Sequence, residues 1–156
     1  MSLDNGNLQE LYQAVILDHN KSPKNFRKIE NATYDRLGHN PLCGDKIELF
    51  IKLDPTNTKV EDIAFLGSGC AISKASTSMK TQTIKGKTIE EAIATFQEFQ
   101  QLLLGKLDPS KEKTNLGKLE IFSNIWKYPA RVKCASLAWH TLKSTLAGEN
   151  VVIKTE

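Results

Sequence analysis

The chain of 156 residues is 40% hydrophobic and 25% charged, with a formal net charge of +3, enough for one ordinary domain with its own core. So small and interspersed a charge points to neither nucleic acid nor an anionic membrane. With no apolar leader and no run of about eighteen apolar residues, neither secretion nor a membrane span is indicated, and a soluble cytoplasmic protein is the expectation.

Leu8, Leu11, Tyr12, Val15 and Ile16 recur at helical spacing, with Asn7 placed to cap and Glu10 three residues on, which predicts a first helix ending near Asn20 before Pro23. Ala32 to Arg36 is a weak strand candidate, and Asn40-Pro41-Leu42-Cys43-Gly44-Asp45 has the composition of a turn. Ile47, Leu49, Ile51 and Leu53 then alternate with Lys46, Glu48, Phe50 and Lys52, the period of a half-buried strand. Asp54-Pro55-Thr56-Asn57 turns the chain into a second strand over Lys59 to Leu66. The two form an antiparallel hairpin. Its geometry brings the start of one strand, Cys43 and Asp45, to the end of the other, at Cys70.

Gly67-Ser68-Gly69-Cys70 leads from that strand into a helix rich in Ser, Thr and Ala that ends near Lys85-Gly86. A thiol at a helix N-terminus faces unpaired N–H groups, which favour thiolate. Thr88-Ile89-Glu90-Glu91 predicts a capping box for a helix whose face is Ala92, Ile93, Phe96, Phe99 and Leu103, stopped by Gly105. A charged loop over Lys106 to Thr114 and a short helix from Leu116 to about Ile125 follow. Tyr128-Pro129-Ala130-Arg131 opens the last helix, with Ala135, Ala138, Trp139, Leu142 and Leu146 on one face and Cys134 expected in its first turn. We expect one domain over residues 1–156, with flexible ends at 1–6 and 150–156.

Three cysteines cannot all pair with one another, and a reducing cytosol disfavours disulfides. Cys43, Asp45, Cys70 and Cys134 each fall at an element terminus near one end of the sheet, and thiolate with carboxylate suits Zn²⁺ or iron. No pair has CxxC spacing. Residue types and spacing therefore leave a thiolate metal site, a nucleophile site and plain core cysteines all open. Four such ligands would be anionic, and Lys46, Lys74, Arg131 and Lys133 lie close enough in sequence to offset them. His19, His39 and His140 are candidates for a further ligand, with His19 read as packing, His39 in a loop and His140 on a polar face. Neither H-E-x-x-H nor H-x-E with P-C-x-x-C is present, which counts against zincin and deaminase chemistry. No histidine is clearly placed as the base of a Cys/His hydrolase.

Asn40 to Asp45, Gly67 to Ser76 and Pro129 to Ala135, together with Leu11-Tyr12, Val15 to His19 and Pro23, resemble the motifs of the IscU/SufU-type iron–sulfur cluster assembly proteins, the NifU N-terminal-like family. The resemblance spans nearly the whole chain. It implies an α+β fold, a small mostly antiparallel three-stranded sheet with helices packed on one face. Lys133, where the IscU branch has histidine before the third cysteine, and the extra segment between about Gly105 and Ile125 resemble the SufU branch. That branch implies Zn²⁺ held by Cys43, Asp45, Cys70 and Cys134, and a SufS-like cysteine desulfurase as partner. In this reading Cys43 accepts persulfide sulfur, released from zinc when the partner supplies a replacement ligand, and Arg131 supports the thiolates or the transferred sulfur. The chain is then a sulfurtransferase-like relay feeding downstream iron–sulfur assembly proteins rather than a stand-alone enzyme. The alternatives are a scaffold carrying a transient [2Fe–2S] cluster and a purely structural zinc domain.

Overall fold

A computed structural model describes residues 5–40, 44–146 and 153–154. Helix α1 (Asn5–Lys21) leads to strands β1 (Tyr34–Asn40), β2 (Asp45–Leu53) and β3 (Val60–Ser68). Three further helices follow: α2 (Ala71–Ile84), α3 (Ile89–Leu103) and α4 (Pro129–Leu146). Two short 3-10 turns, Gly117–Phe122 and Ile125–Lys127, stand where a short helix is expected. The three strands form an antiparallel sheet, and a two-residue strand β4 (Ile153–Lys154) runs parallel along the outer edge of β1. No described helix is long and apolar enough to cross a membrane.

The hairpin register pairs Leu49 with Phe65 and Ile51 with Ile63, so these side chains share one face. That face is covered by α2 and α4, with α1 packed on α2 and α3 on α4, and Ile16, Met79, Phe96, Phe99, Trp139 and Leu142 join it in one continuous apolar core. Gly38 marks where α4 crosses β1, since a Cβ there would collide with Thr141 Oγ1. Phe50 keeps the alternation in direction but not in burial. It points to the opposite face, yet the segment after α1 crosses that face and buries it with Ile29 and Ala64.

The helix ends follow local chemistry. Thr88 and Glu91 form the expected capping box, Thr88 Oγ1 accepting from Glu91 N at 3.1 Å and Glu91 Oε1 accepting from Thr88 N at 3.0 Å. Asn7, expected as a cap, lies inside α1, which begins two residues earlier at Asn5. Strand β1 runs beyond the expected Arg36 to Asn40, because its ladder with β2 continues to the Asn40–Asp45 pair. Helix α4 starts at Pro129, which puts Cys134 in its second turn rather than its first.

Candidate metal centre

Three chain segments meet at one end of the sheet. Asp45 opens β2, and the next strand returns alongside it, with Lys46 opposite Ser68. The chain therefore reaches Cys70 beside Asp45. Gly69 makes the approach possible, because a Cβ there would collide with Asp45 Oδ1. Cys70 N donates to Asp45 Oδ1 at 2.7 Å, and Cys70 Sγ lies 3.7 Å from Asp45 Oδ2. Cys70 is itself the N-cap of α2, its Sγ accepting from Ser73 N at 3.4 Å. From the other side α4 brings in Cys134, whose Sγ lies 4.0 Å from Nδ2 of the buried Asn40.

One ligand atom from each of Asp45, Cys70 and Cys134 lies within 4.8 Å of the others. Two ligands of a tetrahedral zinc ion, held at about 2.0–2.3 Å, stand roughly 3.5–3.8 Å apart, so a small inward movement of these side chains would close on one ion. The donor set fits as well. Asp45 is fully buried and Cys134 is 5% exposed, and among the described residues no ion pair includes Asp45. A buried carboxylate without a cation, facing two thiols, is the electrostatic arrangement a divalent ion completes.

Without a metal the thiol chemistry differs from the expectation drawn from the helix terminus. Burial pushes the Cys70 thiol up, outweighing the Ser73 N–H that draws it down, and the nearby Asp45 raises it further. A helix N-terminus alone does not make Cys70 a ready thiolate.

Cys43 lies outside the described residues; the residues that bracket its segment, Asn40 and Asp45, face each other in the β1–β2 ladder. Arg131 is exposed on the rim, its guanidinium 4.5 Å over the Tyr128 ring. Lys46 is exposed, while the strand neighbours on either side of it, Asp45 and Ile47, are buried; Lys74 sits over the Phe26 ring. None of the three histidines joins the described cluster. His19 is buried, its Nδ1 2.7 Å from Ser78 Oγ. His39 lies in β1 rather than in a loop, and His140 packs edge-on against Phe96 rather than on a polar face.

Two neighbours of the site escape a reading of spacing. Ser73 Oγ and Tyr12 OH are buried without a hydrogen-bond partner among the described residues. Burial is the main cause that raises the Tyr12 hydroxyl pKa, with Arg131 opposing and Cys70 and Cys134 adding to it, so the ring reaches from α1 toward both thiols. In the sequence Tyr12 shows only as part of an apolar stripe.

Comparison with known proteins agrees with this architecture. Residues 11–135 match the NifU-like N terminal domain. The chain is 43% identical over 145 residues to the zinc-dependent sulfurtransferase SufU of Bacillus subtilis, covering 93% of this chain and 95% of that one. It is 41% identical over 139 residues to the iron–sulfur cluster assembly scaffold protein IscU of Streptococcus pyogenes, covering 89% and 84%. The solved structure of the SUF-system protein FiSufU from Fervidobacterium islandicum superimposes with a TM-score of 0.78 at 38% identity, covering 88% of this chain and 98% of that one. Fold, motif order and these similarities agree: the chain belongs to the NifU-like N-terminal domain family, alongside the IscU- and SufU-type iron–sulfur cluster assembly proteins.

Proposed function

We propose that the protein is a zinc-dependent sulfur acceptor that takes persulfide sulfur from a cysteine desulfurase for iron–sulfur cluster assembly. The observation that carries this reading is the convergence of the buried Asp45 and Cys134 with the half-buried Cys70, Asp45 standing two residues along the chain from Cys43. Cys43, Asp45, Cys70 and Cys134 would hold the ion, and the ion's charge would keep the thiols ionised at neutral pH. The similarity to a relative named as a zinc-dependent sulfurtransferase supports the same reading.

The residues of the chain divide the work. Asp45 fixes the start of α2 through Cys70 N and presents its second oxygen to the thiols. Ser73 N stabilises negative charge on Cys70 Sγ. Cys43, two residues before Asp45 in the chain, supplies the nucleophile. Its thiolate attacks the outer sulfur of the desulfurase persulfide, the S–S bond breaks, and the desulfurase cysteine leaves as thiolate while Cys43 becomes the persulfide. Arg131, on the rim, offers a cation beside the anionic sulfur groups.

Incubation with a SufS-like cysteine desulfurase and cysteine tests the proposal. Mass spectrometry is expected to show persulfide on Cys43, with faster desulfurase turnover. No persulfide and no gain in turnover would contradict it. Visible absorption after iron and sulfide reconstitution would instead favour a [2Fe–2S] scaffold, since zinc, with its filled d shell, is colourless.

A further inference from the structure

Helix α2 buries a polar face. Ser73, Ser76, Thr77, Ser78, Lys80 and Thr81 are each no more than 1% exposed, where an ordinary core helix presents Leu, Ile or Phe. Part of this face points into α4. Ser76 Oγ donates to Ala135 O at 2.6 Å and accepts from Trp139 Nε1 at 3.2 Å. Lys80 Nζ donates to Ala138 O at 3.0 Å, its one hydrogen-bond partner among the described residues.

These bonds continue a series that starts at the candidate metal centre. Cys70 meets Cys134, Ser76 meets Ala135 and Trp139, and Lys80 meets Ala138. Along it α2 advances from residue 70 to 80 while α4 advances from 134 to 139. Resting on the metal-centre reading, we propose that Ser76 and Lys80 are positioning residues that set the axial register of α2 on α4, and through it the separation of Cys70 from Cys134.

The reason is directional. A slide of one residue moves a helix by about 1.5 Å, which would stretch and misalign all three bonds and carry Cys70 Sγ by most of a metal–sulfur bond length, about 2.3 Å. Hydrophobic contact has no comparable directionality. Stability alone would not favour lysine here, because a buried Nζ with a single acceptor is worse off than a methionine of similar shape. Burial also drives the Lys80 pKa well below the usual lysine range, and the amine retains a donor for Ala138 O either way.

The test is Co²⁺ titration of the metal-free full-length protein, read by thiolate-to-cobalt and d–d absorption, beside thermal unfolding. Wild type, Lys80→Met, Ser76→Ala and, as a control outside the seam, Thr88→Ala are compared. Lys80→Met is expected to unfold at the same temperature or higher, yet bind Co²⁺ about tenfold more weakly with altered d–d bands, as for other losses of support behind metal ligands. Ser76→Ala is expected to weaken binding as well, and Thr88→Ala to lower the unfolding temperature with Co²⁺ binding unchanged. Affinity and spectrum within twofold of wild type in both seam variants would overturn the positioning role while leaving the metal centre standing. Should Lys80→Met not fold, Ser76→Ala against Thr88→Ala decides. Wild type that takes up Co²⁺ with no thiolate absorption would overturn the metal centre itself, and the positioning role with it.

Discussion

Helices α2 and α3 are consecutive, and each buries one face with different chemistry. The buried face of α3 is Ala92, Thr95, Phe96, Phe99, Leu102 and Leu103, closed at its N-terminus by its own Thr88–Glu91 capping box. Helix α2 is capped by the thiol of Cys70 and buries mostly hydroxyls and one lysine. Apolar packing stabilises in proportion to area and tolerates small shifts. Hydrogen bonds contribute less net stability but lose their value when the partner moves. We read α3 as the helix that holds the fold together and α2 as the helix that holds a site in place.

Substitutions can break that contrast from either side. The largest effect is expected in α3, where Phe99→Ala removes a fully buried ring packed on Phe122 and Trp139 and should cost about 3–5 kcal/mol in denaturant unfolding. The molecules that remain folded should bind metal as wild type does.

In α2 the sign reverses: Lys80→Met should stabilise the metal-free protein by about 1–3 kcal/mol at neutral pH, by removing a buried, poorly paired polar group. The lysine's folded pKa is lowered from 10.5, so between the folded value and 10.5 the unfolded chain binds more protons and stability rises with pH. Below the folded pKa the penalty is present in full. Unfolding curves from neutral to alkaline pH should show this slope in wild type and lose it in the methionine variant.

Thr88→Ala removes the capping hydroxyl of α3 and should cost about 1 kcal/mol in thermal or denaturant unfolding. The smallest expected effect is acid sensitivity from His19 and His140, whose pKa values burial lowers from 6.5. The unfolded chain then takes up protons first, so stability is present above about 6.5 and declines as pH falls toward the folded values. His140→Leu should flatten that slope in unfolding curves collected on the acid side of neutrality.

What the sequence made legible follows the same division. The alternation of β2, the hairpin and the capping box of α3 are apolar periodicities or short-range motifs, and each stands where the pattern places it. The hairpin also foretells the meeting of Asp45 with Cys70. Features that depend on what lies across space are harder to read. Phe50 resembles an outward residue because the segment that covers it is distant in sequence. His140 looks polar until Phe96 lies beside it. The Ser- and Thr-rich stretch of α2 suggests only small residues for close packing, because a buried donor and an exposed one look alike until its acceptor is found. Tyr12 escapes for a similar reason, its ring belonging to an apolar stripe and its hydroxyl to the site.

The most direct measurement is the zinc content of reconstituted, dialysed protein, by elemental mass spectrometry, for wild type beside Asp45→Ala, Cys70→Ser and Cys134→Ser, with circular dichroism to show that each is folded. The expected result is about one equivalent per chain in wild type, as for a single tetrahedral site, and marked loss in every folded variant. Folded variants that retain zinc like wild type would contradict the shared ligand set.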